Sequence, residues 1–173
     1  MPVVVCLIVG LSAAAHAKHT DLPRVRPLDP SLTGIVDTGS HRSNTLHALL
    51  DRLEAGDVVV YLQYGQLPSG LQGRLTLLTK AAGLRYVMVE VARELDALRL
   101  IAIVGHELQH AVEILEQPQI VSQATFASAY ERSGFKRRQF GDGAVGYDTH
   151  AAVNVGRQVL RELAGSAIAL ATR

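Results

Sequence analysis

Cysteine is nearly absent from this chain of 173 residues. The single one, Cys6, falls in an N-terminal stretch, MPVVVCLIVGLSAAAHA, that reads as a secretory signal. Its apolar segment from Val3 to Leu11 is followed by small residues and by Ala15-His16-Ala17, the A-x-A form of a cleavage site, although no Lys or Arg precedes it. The competing reading is a buried N-terminal strand, VVVCLIV. If residues 1–17 are a signal, the protein is exported, periplasmic or secreted, and the mature chain has no thiol. That excludes disulfides, thiolate metal ligands and cysteine nucleophiles, and leaves the domain to be held by its core and by any metal it binds. Long apolar runs are also missing beyond this stretch. None approaches the ~18 residues needed to span a bilayer, so no stable membrane insertion is expected after signal removal. Nor is there an excess of one charge: 17 Lys and Arg against 16 Asp and Glu leave a formal net charge of +1. That balance argues against a nucleic-acid partner. Internal repeats and low-complexity tracts are absent.

What is present is an ordinary globular composition, 48% hydrophobic and 19% charged, in a length that suits one core. A monomer is expected. Residues 18–42, rich in Pro, Asp, Ser and Gly without a sustained period, read as an extended lead-in to a single domain over 43–173. Ser43 or Asn44 caps a helix with Leu46, Leu49, Leu50 and Leu53 on one face, and Gly56 ends it. His47 within it reads as a surface residue. The period then changes: DVVVYLQYG (57–65), LQGRLTLLT (71–79) and LRYVMVEVA (84–92) read as antiparallel strands between Pro-Ser-Gly and Ala-Ala-Gly turns. In the last, Val87, Val89 and Val91 alternate with Tyr86, Met88 and Glu90, one face apolar and the other mixed. A helix is predicted over about 94–116, ending before Pro118, a shorter one over 122–132, a glycine-rich basic loop over 133–147, and a final helix from about Thr149.

The chemistry lies in the run LRLIAIVGHELQHAVEIL. At 100° per residue, Val104, Leu108, Ala111 and Leu115 share a narrow stripe, while His106, His110 and Glu113 project from the opposite side. Two imidazoles at i and i+4 can aim at one point, which supplies two of the four positions around Zn²⁺. Glu107 is turned aside from both, where it can act on a water without displacing it. An H-E-x-x-H run arises by chance in roughly 1% of chains with these His and Glu frequencies, so the metal site outweighs a pair of merely solvated histidines. Gly105 costs the helix ~1 kcal/mol relative to alanine, which fits close approach by a neighbouring backbone or plain tolerance.

HELQHAV resembles the active-site helix of the zincin metallopeptidases, and its wording is especially similar to the thermolysin-like gluzincins. The close match covers one helix; the order of sheet, active-site helix and later helix is compatible over residues 57–165. The fold implied is α+β, a small mostly antiparallel sheet packed on the H-E-x-x-H helix with further C-terminal helices. The resemblance assigns zinc ligation to His106 and His110 and the general base and acid role to Glu107. The metzincin variant is disfavoured, because positions 113 and 116 are both Glu.

A gluzincin takes its third ligand from a glutamate on a later helix, and no N-E-x-x-S-D segment follows here. Asp148, in GYDTHAA, is the favoured substitute, because it stands where the glycine-rich loop enters the last helix; an N-cap role for it is an equal alternative. Glu113 is the main rival, preferred as a residue that orients an imidazole N–H. Glu131 is the third choice. Tyr147 and His150, which flank Asp148, are possible oxyanion donors.

The function expected from the resemblance is that of a zinc-dependent hydrolase, a small exported metalloendopeptidase acting on a peptide or protein through zinc-bound water and Glu107. An edge strand near the helix would hold the extended substrate, a part given by position to LRYVMVEVA. Two alternatives stand beside it. One is a non-catalytic binding or structural protein stabilised by zinc; the other is a metal-free helical scaffold.

Overall fold

The elements run in chain order as β1 (Val25–Pro27), α1 (Pro30–Arg42), α2 (Asn44–Glu54), β2 (Val58–Tyr64), β3 (Gly73–Ala81), β4 (Leu84–Val91), α3 (Ala97–Leu115), α4 (Gln123–Ser133), β5 (Phe135–Lys136), β6 (Tyr147–Asp148) and α5 (His150–Ala171). They come from a computed structural model that describes residues 22–136 and 146–171. The stretch read as a secretory signal, and most of the glycine-rich loop, lie outside the described residues. Among the described residues no helix is long and apolar enough to cross a membrane.

Local chemistry sets most boundaries. Ser43 is extended, and its hydroxyl accepts from the Leu46 N–H at 3.1 Å, so it caps α2 as expected. Glu162 of α5 reinforces that start by accepting from Ser43 Oγ at 2.5 Å, Thr45 Oγ1 at 2.7 Å and the Thr45 N–H at 3.1 Å. Residues 22–42, the described part of the expected extended lead-in, instead form β1 and α1. Asp29 accepts from the Ser31 N–H at 2.9 Å, Pro30 takes the first turn, where its missing N–H costs nothing, and α1 follows. Val25, Leu32 and Val36 are buried in the same core as α2 and α3. The domain therefore reaches back past residue 43.

The fold is α+β, with five helices and a small sheet among the described residues, but that sheet is mixed rather than mostly antiparallel. Its order is β1-β2-β4-β3; β1–β2 and β2–β4 are parallel and only β3–β4 is antiparallel. The β3–β4 hairpin turns through Ala82 (φ 50°) and Gly83 (φ 80°), both positive as a two-residue primed turn demands. This hairpin places β4 between β2 and β3. LRYVMVEVA is thus an interior strand, and β3 is the edge beside it. In β4, Arg85, Val87, Val89 and Val91 face the core while Tyr86, Met88 and Glu90 are half-buried, as the alternation predicts.

Helix α3 packs against the sheet, α2 and α5 at once. The two-faced helix expected from its pattern is therefore buried on both faces: Val104, Leu108 and Ala111 on one side, His106 and His110 on the other. Gly105 lies under α5, where an added Cβ would be 3.0 Å from Val159 Cγ2. The neighbour whose closeness the glycine accommodates is a side chain.

Candidate metal centre

His106 and His110, one turn apart on α3, point their rings toward a common region, with centroids 4.9 Å apart. Asp148 is brought opposite them by β6. Two features hold it there. β5 pairs with β6, setting Phe135 against Asp148, and Gly134 lets the end of α4 lie against the same strand. A Cβ at Gly134 would be 2.8 Å from the carbonyl oxygens of both Asp148 and Tyr130, which is closer than side chains tolerate. The N-cap role weighed for Asp148 belongs to its neighbour: Thr149 Oγ1 accepts from the Ala152 N–H at 3.1 Å. Asp148 Oδ1 accepts from the Thr149 N–H at 2.7 Å and is otherwise aimed at the histidines.

The spacing of these atoms is informative. Asp148 Oδ1 lies 3.3 Å from His106 Nε2 and 3.4 Å from His110 Nε2, and all three donor atoms lie within 4.8 Å of one another. A charge-assisted N–H···O bond is shorter, about 2.7–2.9 Å. Two ligand atoms each ~2.0–2.1 Å from a tetrahedral ion stand about 3.3–3.4 Å apart. The two separations from Asp148 match those of atoms around a shared ion. His106, His110 and Asp148 thus form a buried group that can hold a metal.

The surroundings favour the same state. Glu113 is half-buried and accepts from His110 Nδ1 at 2.9 Å, Tyr130 Oη at 2.7 Å and Thr149 Oγ1 at 2.6 Å. A carboxylate only accepts, so the Nδ1 proton of His110 faces Glu113, and in the neutral, ligating form of the ring it is Nε2 that turns its lone pair toward Asp148. Glu113 therefore orients the His110 imidazole, which is the contact that the part preferred for it from sequence requires. Tyr130, which sequence reasoning did not single out, completes the arrangement, with its oxygen 3.0 Å from His110 Nδ1. The only cue to it was its place on the same predicted helix as Glu131.

Electrostatics explain how the cluster is charged. Burial is the largest influence on His110 and opposes its protonation, but its contacts with Asp148 and Glu113 and the charges of Glu107 and Glu113 together raise it to about 9, so a cation that binds here displaces the Nε2 proton. For Glu113 burial is again the largest influence and works upward, yet its bonds to His110, Thr149 and Tyr130 leave it lowered. Burial first, then the Glu113 charge, push the Tyr130 hydroxyl far upward, so it remains a donor. Three carboxylates, Glu107, Glu113 and Asp148, surround two imidazoles. Such an excess of buried negative charge favours a cation at their centre.

Glu107 is buried and rests against the start of β3. A Cβ at Gly73 would collide with its carboxylate and lie 2.8 Å from Ile103 Cγ2. The absent side chain lets the acid reach the edge-strand backbone. The remaining candidates lie elsewhere. Glu131 is exposed and accepts from Tyr147 Oη at 3.2 Å, so it is not a ligand. The Tyr147 hydroxyl is engaged there, and the exposed His150 ring lies on Phe135 at 4.9 Å. The side chains considered as oxyanion donors are thus directed elsewhere, Tyr147 of β6 toward Glu131 and His150 at the start of α5 toward Phe135. His47 is exposed, as expected, beside Asp51 at 3.5 Å.

Comparison with protein-family models, with curated proteins and with solved structures returns no match to this chain.

Proposed function

We propose that this chain is a zinc-dependent hydrolase, a small exported metalloendopeptidase of the gluzincin kind. The observation that carries the reading is the placement of Asp148 Oδ1 at 3.3 Å from His106 Nε2 and 3.4 Å from His110 Nε2, with Glu107 next to His106 in sequence. Two imidazoles and a carboxylate suit zinc and leave one position for chemistry. When bound, the ion supplies Lewis acidity, acidifying a water and polarising a carbonyl. Glu107 takes the proton of the attacking water and returns it to the leaving amine. Glu113 and Tyr130 keep His110 in the tautomer that can ligate. An extended peptide pairs with the edge strand β3, whose first residue, Gly73, touches Glu107. Export rests on the pattern of residues 1–17.

One observation favours a second reading, a zinc site that only stabilises the fold: His106, Glu107, His110 and Asp148 are all buried, and structural zinc sites are closed. Glu107→Gln separates the two. In the hydrolase, metal analysis shows zinc retained while cleavage of a denatured protein substrate falls by about 10²–10⁴-fold, the scale of a lost general base. Wild-type protein that holds zinc and cleaves nothing supports the structural site. Loss of zinc with the substitution would reassign Glu107 as a ligand.

A further inference from the structure

Beside the metal group a cleft of about 350 Å³ opens between α3 and α5. Its walls are two stripes at i, i+4 and i+7: Arg99, Ile103 and His106 on α3, and Val153, Arg157 and Leu160 on α5. Gln72 closes one end, immediately before the Gly73 that touches Glu107. The cleft therefore adjoins both a metal-binding histidine and the proposed general base. Its chemistry is uneven. Ile103, Val153 and Leu160 present aliphatic surface, and Leu160 is 38% exposed. Arg99 and Arg157 are exposed, and among the described residues neither guanidinium pairs with an acid, whereas Arg52, Arg74, Arg85 and Arg93 each do. Two unengaged cations at the rim of an apolar trough fit a short aliphatic stem that ends in an anion, and guanidinium binds carboxylate through paired N–H donors.

We propose that this cleft is a substrate subsite that binds a carboxylate close to the bond to be cut, through Arg99 and Arg157, so that the enzyme prefers acidic peptides. The inference rests on the peptide-hydrolase reading. The carboxylate has two possible sources, an acidic side chain or the free C-terminus of a peptide, and one set of probes distinguishes them. Acetyl-Leu-Glu-amide carries the charge on a side chain, acetyl-Leu-Gln carries it at the C-terminus, and acetyl-Leu-Gln-amide is neutral.

Binding is measured by calorimetry with the full-length Glu107→Gln chain in the presence of zinc, where turnover does not obscure affinity. One of the charged probes is expected to bind about ten-fold more tightly than the neutral one, and the preference to weaken with salt. Arg99→Gln with Arg157→Gln should abolish the preference while zinc content and melting temperature stay unchanged. Should that pair fail to fold, Arg157→Gln alone, on the exposed face of α5, should reduce the preference. The proposal is overturned if the three probes bind alike, if none binds, or if the preference survives in the double variant. Hydrolysis of peptides by wild-type protein without any charge preference sinks the subsite and keeps the hydrolase. An arginine-dependent preference in a zinc-loaded wild type that cleaves no peptide does the reverse.

Discussion

Helix α3 carries two buried polar assemblies, and they are built on opposite principles. At its C-terminal end Arg85, from the core face of β4, donates through Nη1 to the carbonyls of Ile114 at 2.5 Å and Gln117 at 2.9 Å, and through Nη2 to that of Leu115 at 3.2 Å. It also meets both oxygens of Asp57, at 3.0 and 2.5 Å. Here donors meet acceptors at hydrogen-bonding distance, and a cation caps the negative end of the helix dipole. The assembly is closed and needs nothing further. One to two turns earlier, Asp148 Oδ1 lies 3.3–3.4 Å from His106 Nε2 and His110 Nε2, long for strong hydrogen bonds and well spaced for a shared ion. The same helix is thus finished by protein at one end and bears in its middle a group that can hold a metal. A buried charge is not evidence of function in itself; what distinguishes the two is whether its partners are complementary or alike.

The largest effect is expected at the closed end. Arg85→Met removes the buried cation and strands Asp57 and several carbonyls, so urea unfolding should show a loss of about 3 kcal/mol. A loss well under 1 kcal/mol would mean that water replaces the guanidinium and that the closure is not what holds α3. Next comes metal. With zinc near 100 times its Kd, the wild-type protein should gain ~2.7 kcal/mol, raising Tm by roughly 5–10 °C, and a chelator should reverse the gain. Asp148→Asn should remove that response. If wild-type protein shows no zinc-dependent shift, the histidine cluster is merely a second internal network and the contrast fails.

A smaller change tests the orientation of His110. Glu113→Gln keeps the shape but loses the carboxylate that holds the Nδ1 proton, and zinc affinity by competitive chelation should fall about 10–100-fold. Unchanged affinity would show that Tyr130 suffices alone. The smallest effect concerns Glu162, outside both assemblies. Burial acts upward on it most strongly, but hydrogen bonds from Ser43, Gln158 and Thr45 outweigh that and lower it from 4.5 to about 2. Because its folded value is depressed, the unfolded chain takes up the proton first. Its contribution is fully present above 4.5 and is lost as pH falls toward 2. Glu162→Gln should therefore flatten the decline of Tm across that acid window. An identical decline in the variant would place the acid sensitivity elsewhere.

Much of this architecture was legible because it is local. Ser43 announced α2, the Val87-Val89-Val91 alternation announced the buried face of β4, and HELQH announced the pair of imidazoles, since each signal is complete within one or two turns of chain. Helix α1 was missed although Asp29-Pro30 marked its start, because Gly, Ser and Thr diluted its apolar period. The direction of the strands was missed for another reason. Parallel pairing of β2 with β4 is made between segments that no turn connects, and runs such as VVVYL and YVMVEV carry no mark of orientation.

By itself, then, the sequence determined where the helices and strands of the inner layers lie and which side chains can ligate at one-turn spacing, for those properties follow from backbone period and cap chemistry. Tertiary structure alone decided that Asp148 rather than Glu113 or Glu131 closes the group, that Tyr130 joins it, and that Arg99 and Arg157 share a cleft with His106. Most of those residues lie tens of positions apart along the chain. Their meeting depends on how α4, β6 and α5 pack against α3, a distance that no periodicity along the chain encodes.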